Sequence, residues 1–174
     1  METKKTIWKI DPAHSEFGFK VKHLMISTVT GQFEKFNATV ESNGDDFTNA
    51  KVQVEVEVDS VNTKNSDRNN HLKSDDFFNA EKYPVITFKS KSFDGETLFG
   101  ALTIRDVTKE VALDTEFNGI VVDPYGQTKA GFELTGEINR KEFGLMWNVV
   151  TEAGNMVAAD KVKLVISVQF VKQA

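Results

Sequence analysis

From Val52 to Asp59 the chain alternates at every step, with Val52, Val54, Val56 and Val58 set against Gln53, Glu55, Glu57 and Asp59. Successive side chains of a strand point to opposite faces, so this segment has one face in a core and one in water. A charged face cannot lie beneath covering helices, which argues against a parallel sheet covered on both sides. The same period recurs along the chain. Phe17, Phe19 and Val21 alternate with Gly18, Lys20 and Lys22. The runs 85–93 and 97–104 flank Asp94-Gly95, a strong hairpin signal. Ile104-Arg105-Asp106-Val107 reads as a second tight turn, leading into Val111, Leu113, Thr115 and Phe117. Asn118-Gly119 and Asp123-Pro124-Tyr125-Gly126 mark the next loop. Phe132, Leu134, Gly136 and Ile138 then share a face, as do Val162, Leu164, Ile166, Val168 and Phe170. The three-residue step from Phe33 to Phe36 breaks the alternation and predicts a bulge or bend.

About eight such segments, joined mainly by hairpin turns, make an all-β antiparallel sheet. A sheet of that size closes or folds onto itself to remove its edges. An eight-stranded β-barrel is wide enough to be filled by side chains or to hold one small ligand. Length, and the lack of any repeat or linker, make residues 1–174 a single domain. Fourteen Phe stand beside two Trp and two Tyr, so the aromatic surface mostly lacks a polar handle. Phe packs cores and lines apolar cavities equally well, and composition leaves the choice between them open.

One stretch interrupts the strands. No β-branched residue falls between Lys64 and Tyr83. Asn65 or Ser66 suits an N-cap, Asp67 suits a first helical turn, and Pro84 ends any helix before it. A short helix within 65–75 is predicted, closing one end of the barrel with Leu72, Phe77 and Phe78 turned inward. Asp67, His71 and Asp75 fall on one helical side, and Ser74 is near. They read either as a catalytic cluster or as the solvated face of a capping helix. A nucleophile needs a base and an oxyanion hole, and no Gly-x-Ser-x-Gly elbow is present.

Several function classes recede. Net charge is −5 with no basic stripe, so a nucleic-acid partner is not expected. Without Cys there is no disulfide, thiolate catalysis or Cys-ligated metal. His14, His23 and His71 form no metal-binding pair by spacing, and no cofactor motif occurs. No run approaches an integral membrane segment, and residues 1–8 have no apolar leader, which points to a cytoplasmic protein.

Five motifs follow in order: Trp8-x-Ile10-Asp11-Pro12-x-His14-Ser15; Phe17-x-Phe19 with Lys22-His23-Leu24; Arg68, His71-Leu72, Ser74 and Asp76-Phe77-Phe78 with Tyr83-Pro84, Ile86 and Phe88; Gly100 to Lys109; and Arg140-x-x-Phe143-Gly144 with Trp147-Asn148. Together they resemble the YceI-like family of lipocalin-like, polyisoprenoid-binding proteins. Asn69 stands where many relatives have Asp, and Asp106 where they often have Gly. Asp tolerates a left-handed backbone better than most residues, so that turn is expected to survive.

The resemblance implies a hollow, lipocalin-like barrel holding a polyisoprenoid or other long-chain lipid in an elongated apolar tunnel. It implies a homodimer for some members, and a periplasmic place if a secretory leader has been removed. Strand parity then nominates the wall: Phe17, Phe19, Val21, Val54, Val56, Ile86, Phe88, Leu102, Ile104, Leu113, Phe117, Phe132, Leu134, Phe143, Trp147, Ile166 and Val168. Each is equally at home in a plain core. Arg68, Arg140 and Asn148 are candidate anchors for a polar headgroup, or else ordinary surface ion-pair partners. Two readings stand: a non-catalytic carrier, and an enzyme acting on an apolar substrate through His71 and its polar neighbours.

Overall fold

The structure is a computed structural model that describes residues 5–147 and 158–173. The strands are β1 (Lys5–Ile10), β2 (Glu16–His23), β3 (Ser27–Phe33), β4 (Phe36–Asn43), β5 (Asp46–Glu57) and β6 (Val61–Asn62), followed by helix α1 (Ser66–Lys73). Then come β7 (Val85–Phe93), β8 (Thr97–Ile104), β9 (Val107–Val122), β10 (Thr128–Asn139) and β11 (Ala158–Lys172). All pairings are antiparallel, and they run β1-β4-β5-β7-β8-β9-β10-β11, with β1 returning to β11. The result is an eight-stranded closed barrel.

The three remaining strands are continuations of the wall. β2 follows β1 after a turn over Pro12–His14 and pairs with β11 further along, at Phe19↔Leu164 and Val21↔Val162. β3 and β4 are one strand broken at Glu34-Lys35, so the Phe33–Phe36 irregularity is a bend. β5 leads into β6 through a turn over Val58–Ser60.

Local chemistry sets these breaks. Asp94 accepts hydrogen bonds from the backbone N–H groups of Glu96 (2.8 Å) and Thr97 (2.7 Å), and Gly95 adopts φ 99° as the hairpin demands. In the next turn the left-handed residue is Arg105, at φ 55°, rather than Asp106. Asn118-Gly119 is not a loop. β9 runs through it, and its register against β10 shifts there, from Gly119↔Gly131 to Phe117↔Phe132. Gly119, at φ 108°, supplies a backbone conformation open chiefly to glycine, and the chain bulges without ending the strand.

The end of the barrel remote from α1 is solid. Trp8 is fully buried, and its indole N–H donates to Ser42 Oγ at 2.8 Å. Ser42 in turn donates to the Gly44 carbonyl at 2.7 Å. Phe47 packs on Trp8 and Phe132, with ring centroids 5.1 and 5.0 Å apart. Above this layer the barrel is hollow.

Candidate functional site

The hollow follows from where glycines face inward. Gly31, Gly100 and Gly136 occupy inward positions of β3, β8 and β10. A Cβ on Gly31 would fall 2.4 Å from Phe19 Cζ, one on Gly100 2.4 Å from Phe88 Cζ, and one on Gly136 2.5 Å from Leu113 Cδ2. Each large side chain therefore lies flat along the wall, over a neighbour that has no side chain. Phe19, Val54, Ile86 and Ile166 point inward yet are only half-buried, because they border open space rather than one another.

The cavity measures about 430 Å³, within the range of small-molecule sites. Its wall is Phe, Leu, Ile and Val for most of its extent. Of the positions nominated by strand parity, Phe17, Phe19, Val21, Val54, Val56, Ile86, Phe88, Leu102, Ile104, Leu113, Phe132, Leu134, Trp147, Ile166 and Val168 line it. Two do not. Phe117 lies towards the solid end, 44% exposed, stacked on Phe132 at 5.0 Å. Phe143 is 1% exposed, in the 3-10 turn Arg140–Phe143, where strand parity no longer applies; it fills the core. Phe33, Leu145, Val162 and Leu164 also line the cavity. Val162 and Leu164 share the Ile166 face and were legible by parity; Leu145 follows the turn and had no periodic signal.

Helix α1 closes the other end. Asn65 caps it, its side chain accepting from the Arg68 N–H at 3.0 Å. Arg68, His71, Leu72, Phe77 and Phe78 all reach the cavity wall. His71 stands edge-on to Trp147 (4.7 Å) and Phe77 (5.1 Å). The supposed Asp67–His71–Asp75 face does not assemble. The Nε2–H of His71 donates to Asp76 Oδ2 at 2.8 Å, whereas Asp75 pairs with Arg105 at 3.2 Å and accepts from Asn79 at 3.2 Å. Ser74 gives its hydroxyl to the His71 carbonyl, so it is not hydrogen-bonded to the imidazole as an activated nucleophile would be.

Arg105 does not line the cavity but braces the segment that closes it, a role that helical and strand spacing gave no sign of. Its guanidinium donates to the carbonyls of Asp75 (3.3 Å), Phe77 (3.2 Å) and Gly144 (3.3 Å), tying the segment after α1 to the β8–β9 turn. Arg140 is 3% exposed and donates to the carbonyls of Ala159, Leu145, Trp147 and Ala158. Burial lowers its pKa, with Asp160 acting in the opposite sense. Four carbonyl dipoles hold this cation, so it fixes the chain at the cavity's end and is not a surface ion-pair residue. Asn148 lies outside the described residues.

The cavity meets a polar groove. β3 pairs with β6 only at Gln32↔Asn62 and Phe33↔Val61. The groove lies along the remaining edge of β3, from Ser27 to Gly31, opposite Asn62, Thr63, Lys64 and Arg68. His23, Val29 and Arg68 border both spaces, which marks the mouth. Among the described residues no group of His, Asp or Glu is arranged to hold a metal ion, and no helix is long and apolar enough to cross a membrane.

The YceI-like domain model matches residues 8–170. The chain belongs to the YceI-like family. A UPF0312 protein from Staphylococcus aureus strain bovine RF122 / ET3-1 is 40% identical over 166 residues, covering 95% of this YceI-like chain and 97% of its relative. The crystal structure of the Campylobacter jejuni YCEI protein is similar, with TM-score 0.73 and 36% identity over 88% of this chain and 90% of that one. A polyisoprenoid binding domain from Saccharophagus degradans shares the fold, with TM-score 0.65 and 16% identity over 95% of this chain and 98% of that one.

Proposed function

We propose that this YceI-like protein binds, and carries or sequesters, a long-chain polyisoprenoid or similar amphiphilic lipid, with the apolar chain inside the barrel and residues 1–174 acting as one lipid-binding domain. The observation that carries the reading is an apolar cavity of about 430 Å³ kept open by inward-facing glycines. Hydrocarbon gains roughly 25 cal/mol per Å² on leaving water, and a wall made mostly of Phe, Leu, Ile and Val provides the apolar surroundings that this requires. The Saccharophagus degradans domain, described as polyisoprenoid binding, has the same fold and agrees with this reading.

The test is a pair of enlarged side chains on β5. Val54 borders open space, whereas Val56 is 6% exposed. Val54→Phe therefore places a ring in the cavity, leaving the fold intact and weakening binding of a prenyl alcohol. Val56→Phe overpacks the wall and costs about 1–3 kcal/mol of stability. Equal destabilisation by both, with no uptake of prenyl alcohol by the parent protein, would overturn the proposal.

The enzymatic reading retains one observation, the His71–Asp76 hydrogen bond at the cavity wall. His71→Ala separates the two. A carrier keeps its lipid affinity; an enzyme loses turnover.

A further inference from the structure

The cavity is apolar, but its ionisable lining has one sign. Lys22, His23, Arg68, His71 and Arg140 reach its wall, and among the described residues no Asp or Glu does. Arg140 is held by carbonyls and His71 by Asp76. Arg68 differs from both. Its Nε donates to Thr63 Oγ1 at 2.9 Å and its Nη2 to the Thr63 carbonyl. Thr63 is 2% exposed and is itself fixed by Asn69, whose Oδ1 accepts from the Thr63 N–H (2.7 Å) and hydroxyl (2.6 Å). The guanidinium is thus oriented, among the described residues, by neutral groups alone. Among the described residues it forms no ion pair, although it stands where the cavity opens into the groove.

A cation held rigid by neutral partners at an apolar mouth has its charge uncompensated and its orientation already fixed. Such a group favours an anion, because no internal carboxylate must be displaced and little side-chain freedom is lost. The groove shares His23 and Arg68 with the cavity and adds Lys64, against one acid, Glu16. We infer that the ligand is an anionic amphiphile, whose carboxylate or phosphate head sits at Arg68 in the mouth between β3 and α1 while its hydrocarbon fills the barrel. The inference rests on the lipid-binding reading and specifies the class of lipid.

Asn69 is the residue that sets the charge. A carboxylate in its place would accept the same two bonds from Thr63 while adding a negative charge to the Arg68–Thr63 network. Asn69→Asp therefore keeps the geometry and removes the positive character of the mouth.

The experiment measures dissociation constants by displacement of an apolar dye, using hexadecanoate against hexadecanol and farnesyl phosphate against farnesol. At low salt the anionic member of at least one pair binds about ten- to a hundredfold tighter, as a charge-assisted hydrogen bond warrants. Whichever pair shows the larger gap identifies the head as carboxylate or phosphate. The gap narrows on raising ionic strength from about 0.05 M to about 0.5 M. It narrows severalfold in Asn69→Asp, and collapses in Arg68→Gln, because the anions lose far more affinity than the alcohols. Should Arg68→Gln fail to fold, Asn69→Asp and the salt series still decide. Alcohols binding as tightly as their anions would overturn the headgroup inference and leave the carrier standing. Failure of all four ligands to bind would overturn both.

Discussion

The ring of Phe19 lies over the backbone of Gly31, its partner across the β2–β3 ladder, so closely that a Cβ there would sit within 3.0 Å of three ring atoms. The Phe88 ring also lies over Gly100, although its ladder partner is Leu102. A Cβ on Gly100 would also lie 2.5 Å from the Lys89 carbonyl oxygen, which is backbone and cannot swing away. Gly31→Ala should push the Phe19 ring into the cavity, weakening lipid binding at a cost of roughly 1 kcal/mol or less. Gly100→Ala should destabilise the barrel by about 1–3 kcal/mol, the usual cost of overpacking. Urea midpoints and lipid titrations on both variants check this; equal loss of stability would mean that the Phe19 ring has nowhere to go.

Arg105 carries two opposed effects. Its left-handed backbone, φ 55°, is disfavoured by about 1–2 kcal/mol for a residue with a Cβ, while its guanidinium ties Asp75, Phe77 and Gly144 together. Arg105→Gly relieves the first and loses the second. We expect global stability to change by under about 1 kcal/mol, with faster hydrogen exchange at the amides of residues 77–80. Unchanged exchange there would show that the guanidinium does not hold the plug.

How far the sequence reached is clear from particular residues. On β8, burial alternates without a break from Thr97 to Ile104; β9 pairs along its whole length and β7 from Leu98 to Thr103, with the bulge on the β7 side. Parity was therefore enough to place Leu102 and Ile104. It failed at Phe143, where the chain turns, and at Phe117, which points the right way but lies beside the solid end. Asn118-Gly119 has the composition of a turn, and only pairing with β10 shows it as a bulge. The His71–Asp76 contact was hidden for another reason. Asp75 and Asp76 both lie past the end of α1, so the helical spacing that pointed to Asp75 no longer holds there, and Asp76 is the one that meets the imidazole. Hollowness was not legible in composition, since a glycine facing inward beneath a ring reads like any other glycine.

Acid should weaken the end remote from α1. Lys129 lies 2.8 Å from Asp11 and 3.5 Å from Asp123, joining the β1–β2 turn to the β9–β10 hairpin. The Lys129 hydrogen bond holds the Asp11 pKa below its ordinary value, and the Gln127 N–H does the same for Asp123. Groups with depressed folded pKa values contribute stability that is full above the unfolded pKa, near 3.8 for both. That stability is lost as pH falls through the lower folded values. Lys129 is raised, chiefly by Asp11, so its share persists until the pH rises past the amine's unfolded value of 10.5 and through the higher folded one. Denaturation midpoints should fall below about pH 4. In Asp11→Asn the fall should be shallower; an identical slope would remove Asp11 from the account.

The central claim is that the barrel holds a lipid chain, and native mass spectrometry of protein purified without detergent tests it most directly. The account predicts a species heavier than the 174-residue chain by the mass of one amphiphile. Delipidation should remove that mass, and added prenyl lipid or fatty acid should restore one equivalent in the parent protein and a smaller fraction in Val54→Phe. A chain of bare polypeptide mass that takes up neither lipid would contradict it.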